Sequence, residues 1–139
     1  MYFCYSMQQE KALAILKSGK NVFLTGSAGA GKTYVLNEYI KYLKDRKIKV
    51  AITASTGIAA THMNGQTIHS FSGIGIKDYL SNVDLHKMKE KKYLKKNLEN
   101  VKVLILDEIS MLHRKQLDMI NMVFKFFKNS AKAFGGIQV

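Results

Sequence analysis

The chain has no proline, one cysteine, no long apolar run and fewer than half as many acidic as basic residues. The lone thiol, Cys4, excludes an intrachain disulfide. Every apolar run falls far short of the roughly 20 residues a membrane-spanning helix needs. The opening MYFCYSMQQEK lacks the basic start and long apolar stretch of a signal peptide. Together these absences predict a soluble protein in a reducing, intracellular setting, with cytoplasm, nucleus and mitochondrion not separated and no membrane partner. The missing proline accompanies a surplus of Lys, Asn and Ile. That bias points to an A/T-rich coding sequence and lowers the weight of lysine as a functional signal.

What is present describes a globular chain. Nearly half of the 139 residues are hydrophobic, enough for one domain with its own core. The formal net charge is +12, a field that favours polyanions such as nucleic acid or an anionic membrane surface. The alternative source of that charge is a solvated, lysine-biased surface.

Hydrophobic spacing predicts alternating helices and strands. Ala12, Leu13, Ile15 and Leu16 form a helix over residues 8–17, stopped by Ser18-Gly19. NVFLT (residues 21–25) reads as a buried strand, and Val35, Leu36, Tyr39, Ile40 and Leu43 share one face of the helix that follows. IKVAITA (48–54) is a second strand, STGIAATHM a short helix opened by an N-cap type residue, and VKVLILDE (101–108) a third strand. MLHRKQLDMINMVFKFFK forms a helix with Leu112, Leu117, Met119, Ile120, Val123 and Phe127 on its buried side. AFGGIQV starts a fourth strand, with an exposed sheet edge expected near Ile137 that invites self-association. Between the second and third strands, residues 78–100 are Lys-rich. Leu85, Met88, Lys92 and Lys95 share a weakly amphipathic face there, read as a mobile or surface helix inserted on the core. The order predicts a parallel sheet wrapped by helices.

The chemistry begins at GSAGAGKT, which fits G-x-x-x-x-G-K-[ST] across Gly26, Ser27, Ala28, Gly29, Ala30, Gly31, Lys32 and Thr33. A strand must turn sharply into a helix while its backbone N–H groups point at an anion, and glycine permits both the positive φ angles and the close approach. Lys32 adds a full charge for the β and γ phosphates, and Thr33 a hydroxyl for Mg²⁺. Asp107, ending the third strand, is placed to bind Mg²⁺, and Glu108 beside it to polarise an attacking water. The pair predicts hydrolysis. A Gln in MQQEKAL can read adenine through its amide or stand as a plain surface residue. Residues 53–75 carry no Asp, Glu, Lys or Arg.

In order, MQQEKAL, GSAGAGKT, TASTGIAA, GQTIHSFSGIG, LILDEIS and FGGIQV resemble the first RecA-like domain of superfamily-one DNA helicases of the 5′-to-3′ class. The resemblance is closest to the PIF-one family, with RecD-like helicases as relatives. It implies an α/β fold of the P-loop NTPase, RecA-like type: a parallel sheet flanked by helices, stopping after the start of the fourth strand. Residues 1–139 would be that domain in part, carrying the Lys-rich surface segment at 78–100.

The resemblance also implies ATP and Mg²⁺ as cofactors, single-stranded DNA as partner, and Gln9, next to Gln8, as the adenine-reading residue. It places the uncharged stretch along the DNA path. Thr53, Ser55, Thr56 and Gly57 stand where the second strand meets its helix, and His69, Ser70 and Phe71 follow. Hydroxyls and backbone N–H groups hold phosphates without locking them as lysines would. His69 and Phe71 contact sugar or stack on bases, or else pack in the core under the phosphate loop.

The γ-phosphate-sensing continuation of FGGIQ is not in these residues, nor is the second RecA-like domain that supplies an arginine finger. Arg46 and Arg114 are the only arginines, at no motif position. The expectation is nucleotide binding with slow hydrolysis and no unwinding by this chain alone. Two other classes compete. A small-molecule kinase is disfavoured by scarce arginine and adjacent acids. A non-catalytic nucleic-acid-binding P-loop module is disfavoured by the intact Lys32, Thr33, Asp107 and Glu108. The Lys-rich segment adds electrostatic affinity for DNA or is a solvated face.

Overall fold

A computed structural model describes residues 2–3 (backbone), 8–26 and 31–139. Strand β1 (Tyr2–Phe3) runs parallel to β2 (Val22–Phe23). Helix α1 (Gln9–Lys17) lies between them in sequence, and α2 (Lys32–Asp45) follows Gly31. Next come β3 (Val50–Ala54), α3 (Gly57–His62), β4 (Gln66–Thr67) and α4 (Ile68–Ser72). Helices α5 (Asn82–Lys89) and α6 (Lys92–Asn100) lead to β5 (Val103–Asp107), and α7 (Arg114–Lys128) follows a 3₁₀ turn at Ile109–Met111.

The expected parallel sheet is there. β3 lies between β4 and β5, all parallel, with Val50 opposite Val103 and Ala54 opposite Asp107. Gly65 admits the chain to β4. A Cβ there would fall 2.3 Å from the Ile52 carbonyl oxygen, so only glycine fits. Successive side chains of β5 face opposite ways. Val103 packs with Ala12, Leu16, Val35, Tyr39 and Leu43 of α1 and α2, while Leu104 joins Ile68, Leu94, Leu98, Ile120 and Phe124 from α4, α6 and α7. Helices thus cover both faces of the sheet.

The exposed edge expected near Ile137 is not an edge. Leu104 N donates to the Gln138 carbonyl at 2.8 Å, and Gln138 N to that of Lys102 at 3.1 Å. Val22 N donates to the Val139 carbonyl at 3.0 Å. Residues 137–139 therefore run between β5 and β2, and Ile137 and Gln138 are buried. Chain order and spatial order differ: the last segment inserts between two earlier strands, which no local pattern specifies.

The reading of 78–100 as one mobile or surface helix is also corrected. Ser81 and Asp84 form a capping box that starts α5, and the chain breaks at Glu90-Lys91 before α6. The break resets the helical phase. Leu94 and Leu98 become fully buried while Lys92 and Lys95 face water, and Leu85 and Met88 of α5 are buried as well. The lysines cover a segment that supplies core. β1, β4 and α4 were not expected, and Ala133–Gly136 form a 3₁₀ turn where the fourth strand was to start; other differences are at element ends. β2 keeps two of the five residues expected, and α7 starts at Arg114, so that Leu112 lies outside it and only half-buried.

Candidate nucleotide and nucleic-acid site

The candidate phosphate loop lies between β2 and α2 in the chain. Ser27, Ala28, Gly29 and Ala30 lie outside the described residues. At the end of the loop Gly31 adopts φ 87° as the residue before α2, a left-handed conformation that favours glycine. It also gives room. A Cβ on Gly31 would stand 1.9 Å from Gln9 Nε2, so the Gln9 amide lies directly against the loop. Gln9 is exposed and opens α1. Lys32 Nζ donates to the Gly26 carbonyl at 2.9 Å, closing the two ends of the loop on each other, and Thr33 is exposed in the first turn of α2.

The carboxylates end β5. Asp107 Oδ1 accepts from Glu108 N at 3.0 Å. Glu108 has φ 54° and ψ 48°, a left-handed backbone that costs a non-glycine residue about 1–2 kcal/mol. The end of β3 holds it there. Ser55 N donates to the Asp107 carbonyl at 3.1 Å, and Ser55 Oγ to the Glu108 carbonyl at 2.6 Å. These neighbouring hydrogen bonds hold the strained backbone of Glu108 in place.

The seven residues expected along the nucleic-acid path divide into two groups. Thr53 is buried, its hydroxyl donating to the Ile105 carbonyl at 2.7 Å, and Ser55 is buried with its hydroxyl on Glu108. Phe71 is buried and stacks on Phe124 at 6.5 Å, the core-packing alternative. Gly57 and Ser70 are exposed, and Thr56 and His69 half-buried. Thr56 and Thr67 cap α3 and α4 through their hydroxyls, accepting from Ala59 N and Ser70 N. The outward-facing set is thus Thr56, Gly57, His69 and Ser70.

Sequence reasoning missed Gln138. Its buried amide donates to the carbonyls of Leu16 (2.9 Å) and Lys20 (2.7 Å) and accepts from the Tyr39 hydroxyl. It ties α1 and α2 to the segment between β5 and β2. Burial raises the Tyr39 hydroxyl above its ordinary pKa, keeping it a neutral donor. The one signal was a polar residue inside an apolar strand. Among the described residues, no helix is long and apolar enough to cross a membrane.

A family model described as PIF1-like helicase matches residues 5–139. The ATP-dependent DNA helicase Pif1 of Psychrobacter sp. (strain PRwf-1) is 65% identical over 133 residues, covering 96% of this chain and 20% of that protein. The crystal structure of the Pif1 helicase from Candida albicans matches with a TM-score of 0.87 at 40% identity, over 94% of this chain and 30% of that one. The Pif1 helicase from Bacteroides in complex with ADP-AlF3 and ssDNA matches with a TM-score of 0.78 at 34% identity, again over 94% and 30%. The chain spans 20–30% of the length of these relatives.

Proposed function

The chain belongs to the PIF1-like helicase family, and from that premise we propose that residues 1–139 are part of the first RecA-like ATPase domain of a 5′-to-3′ DNA helicase, binding Mg-ATP and single-stranded DNA. One observation carries this reading. The phosphate loop after β2 and the carboxylates after β5 are separated in the sheet only by residues 137–139, and each is braced: Gln9 lies on Gly31, and Ser55 holds Glu108.

In this reading Gly26, Ser27, Ala28, Gly29, Ala30 and Gly31 offer backbone N–H groups to the phosphates, and the Gln9 amide reads adenine beside the loop. Lys32 leaves the neutral carbonyl of Gly26 for a charged phosphate oxygen, the stronger acceptor. Thr33 and Asp107 would hold Mg²⁺. Among the described residues no group of three or more His, Cys, Asp or Glu side chains forms a metal site. That donor set suits a cation whose other ligands are phosphate oxygens and water. When bound, the ion neutralises charge on the β and γ phosphates. Glu108 orients water through its fixed backbone. Single-stranded DNA passes over Thr56, Gly57, His69 and Ser70, while Thr53, Ser55 and Phe71 support that surface from inside.

The ADP-AlF3 and ssDNA bound by the Bacteroides relative support both ligands for this chain. A second RecA-like domain of the same protein is the expected partner, since the relatives are several times longer. An arginine finger accounts for about 10³–10⁵ in turnover in P-loop enzymes. These residues alone therefore bind nucleotide, hydrolyse it slowly and do not unwind DNA.

The test is Mg-dependent binding of a fluorescent ATP analogue, and ATP turnover with and without single-stranded DNA, beside Lys32→Ala. Binding lost in the variant, with little turnover in either chain, supports the reading. Binding unchanged by Lys32→Ala, or duplex unwinding by these residues alone, overturns it.

A further inference from the structure

Away from the nucleotide and DNA residues, α5 and α7 enclose an open groove of about 440 Å³ lined by Leu85, Lys89, Met122, Lys125, Phe126 and the turn after α7. Its floor is apolar. Met122 is 42% exposed, whereas Met119, Ile120, Val123, Phe124 and Phe127 of the same helix are buried. Its charges are of one sign: Lys89 and Lys125 line it, and no carboxylate does. Lys89 Nζ stands 5.0 Å from the centre of the Phe126 ring, and His86 meets the same ring edge-on at 5.2 Å. Asn129, left-handed at the end of α7, adds an exposed amide.

From these features we propose that the groove is a docking site for an acidic protein segment with an aliphatic anchor. The anchor lies on Leu85, Met122 and Phe126, and the flanking carboxylates pair with Lys89 and Lys125. This goes beyond the ATPase reading and does not depend on it.

Charge and shape select this occupant. A single-stranded nucleic acid needs a track of phosphate contacts and a free aromatic face. Here two lysines line the groove, too few for such a track. A second copy of the chain would bring another +12 of charge to a basic rim. The position keeps the occupant away from Asp107 and Glu108. α7 starts just after Glu108 and runs 15 residues, about 20 Å. At its far end Lys128 Nζ donates to the Val101 carbonyl, ahead of the start of β5. The groove therefore lies at the opposite end of β5 from Asp107.

The experiment uses a labelled helical peptide with Asp and Glu around a Leu-x-x-Leu pair. Its binding is followed by fluorescence anisotropy and by ¹⁵N amide shifts of the chain. Saturable binding with shifts at residues 85–89 and 122–131 is expected. Combined Lys89→Glu and Lys125→Glu should weaken it about tenfold or more, as should replacing both peptide leucines with alanine. A lysine-rich peptide keeping the leucines should bind the reversed variant better than the native chain, a gain that misfolding cannot produce. The proposal is overturned if the double reversal leaves peptide binding unchanged. It is equally overturned if an oligonucleotide displaces the peptide from these residues, or if the chain alone dimerises through them.

Discussion

Replacing Gln138 with leucine tests whether one amide ties α1 and α2 to the segment between β5 and β2. Leucine keeps similar bulk and removes every polar atom. The Tyr39 hydroxyl, on a residue 3% exposed, loses its acceptor. Leaving such a group unpaired costs about 1–3 kcal/mol. The Leu16 carbonyl keeps a bond from Gly19 N, and the Lys20 carbonyl is only partly buried, so each lost bond there counts for about 0.5–1 kcal/mol. Leucine burial returns about 1 kcal/mol. The expected loss is about 2–3 kcal/mol, read as a lower urea midpoint at constant slope.

A Tyr39→Phe, Gln138→Leu double variant should recover about 1 kcal/mol against the sum of the single changes, because phenylalanine removes the orphaned hydroxyl. Gln138→Glu should be worse than leucine, since it buries a charged acceptor against the carbonyl oxygens of Leu16 and Lys20. A loss below about 0.5 kcal/mol for Gln138→Leu, or strict additivity in the pair, would refute the reasoning.

Ser55→Ala frees the carbonyl of Glu108; unfolding should show a loss of about 1 kcal/mol, and any DNA-stimulated ATP turnover should fall while nucleotide affinity is kept. Equal loss of both would show a general fold defect instead. Leu94→Ala, at a fully buried position, should lower stability by about 2–5 kcal/mol in the same denaturation assay; a change within surface range would return the Lys-rich segment to the periphery. The Asp84 carboxyl is held below its ordinary value of 3.8, chiefly by the bond from Ser81 N. Its contribution is therefore present above that value and lost as pH falls through the lowered one. The native chain should exceed Asp84→Asn in stability at neutral pH, with the gap closing only in strong acid, and a gap independent of pH would count against the capping box.

The turn from β2 into α2 was legible because its signals are local. Gly31 must reach a left-handed φ, Lys32 must follow it, and a strand and a helix must flank them, all within a few residues. The parallel strands, the helix behind Tyr39 and Leu43, and the acids at 107–108 were legible for the same reason. Each is a short pattern of apolar and polar residues that bears on its own backbone. The Lys-rich segment misled because twelve or so residues were read in one helical phase, and the break at Glu90-Lys91 carries no strong local signal.

By itself, then, the sequence determined the α/β class, the turn into α2 at Gly31-Lys32 and the two acids that end β5, because periodicity and glycine placement act over short range. Only the tertiary structure decided which of the polar residues at 53–71 face outward. It placed Ser55 behind Glu108 and turned Thr53 and Phe71 inward. It also set 137–139 between β5 and β2, where Gln138 reaches Leu16, Lys20 and Tyr39. Those outcomes depend on which distant segments meet across the sheet, and a buried hydrogen bond between residues a hundred positions apart leaves no periodic trace in either of them.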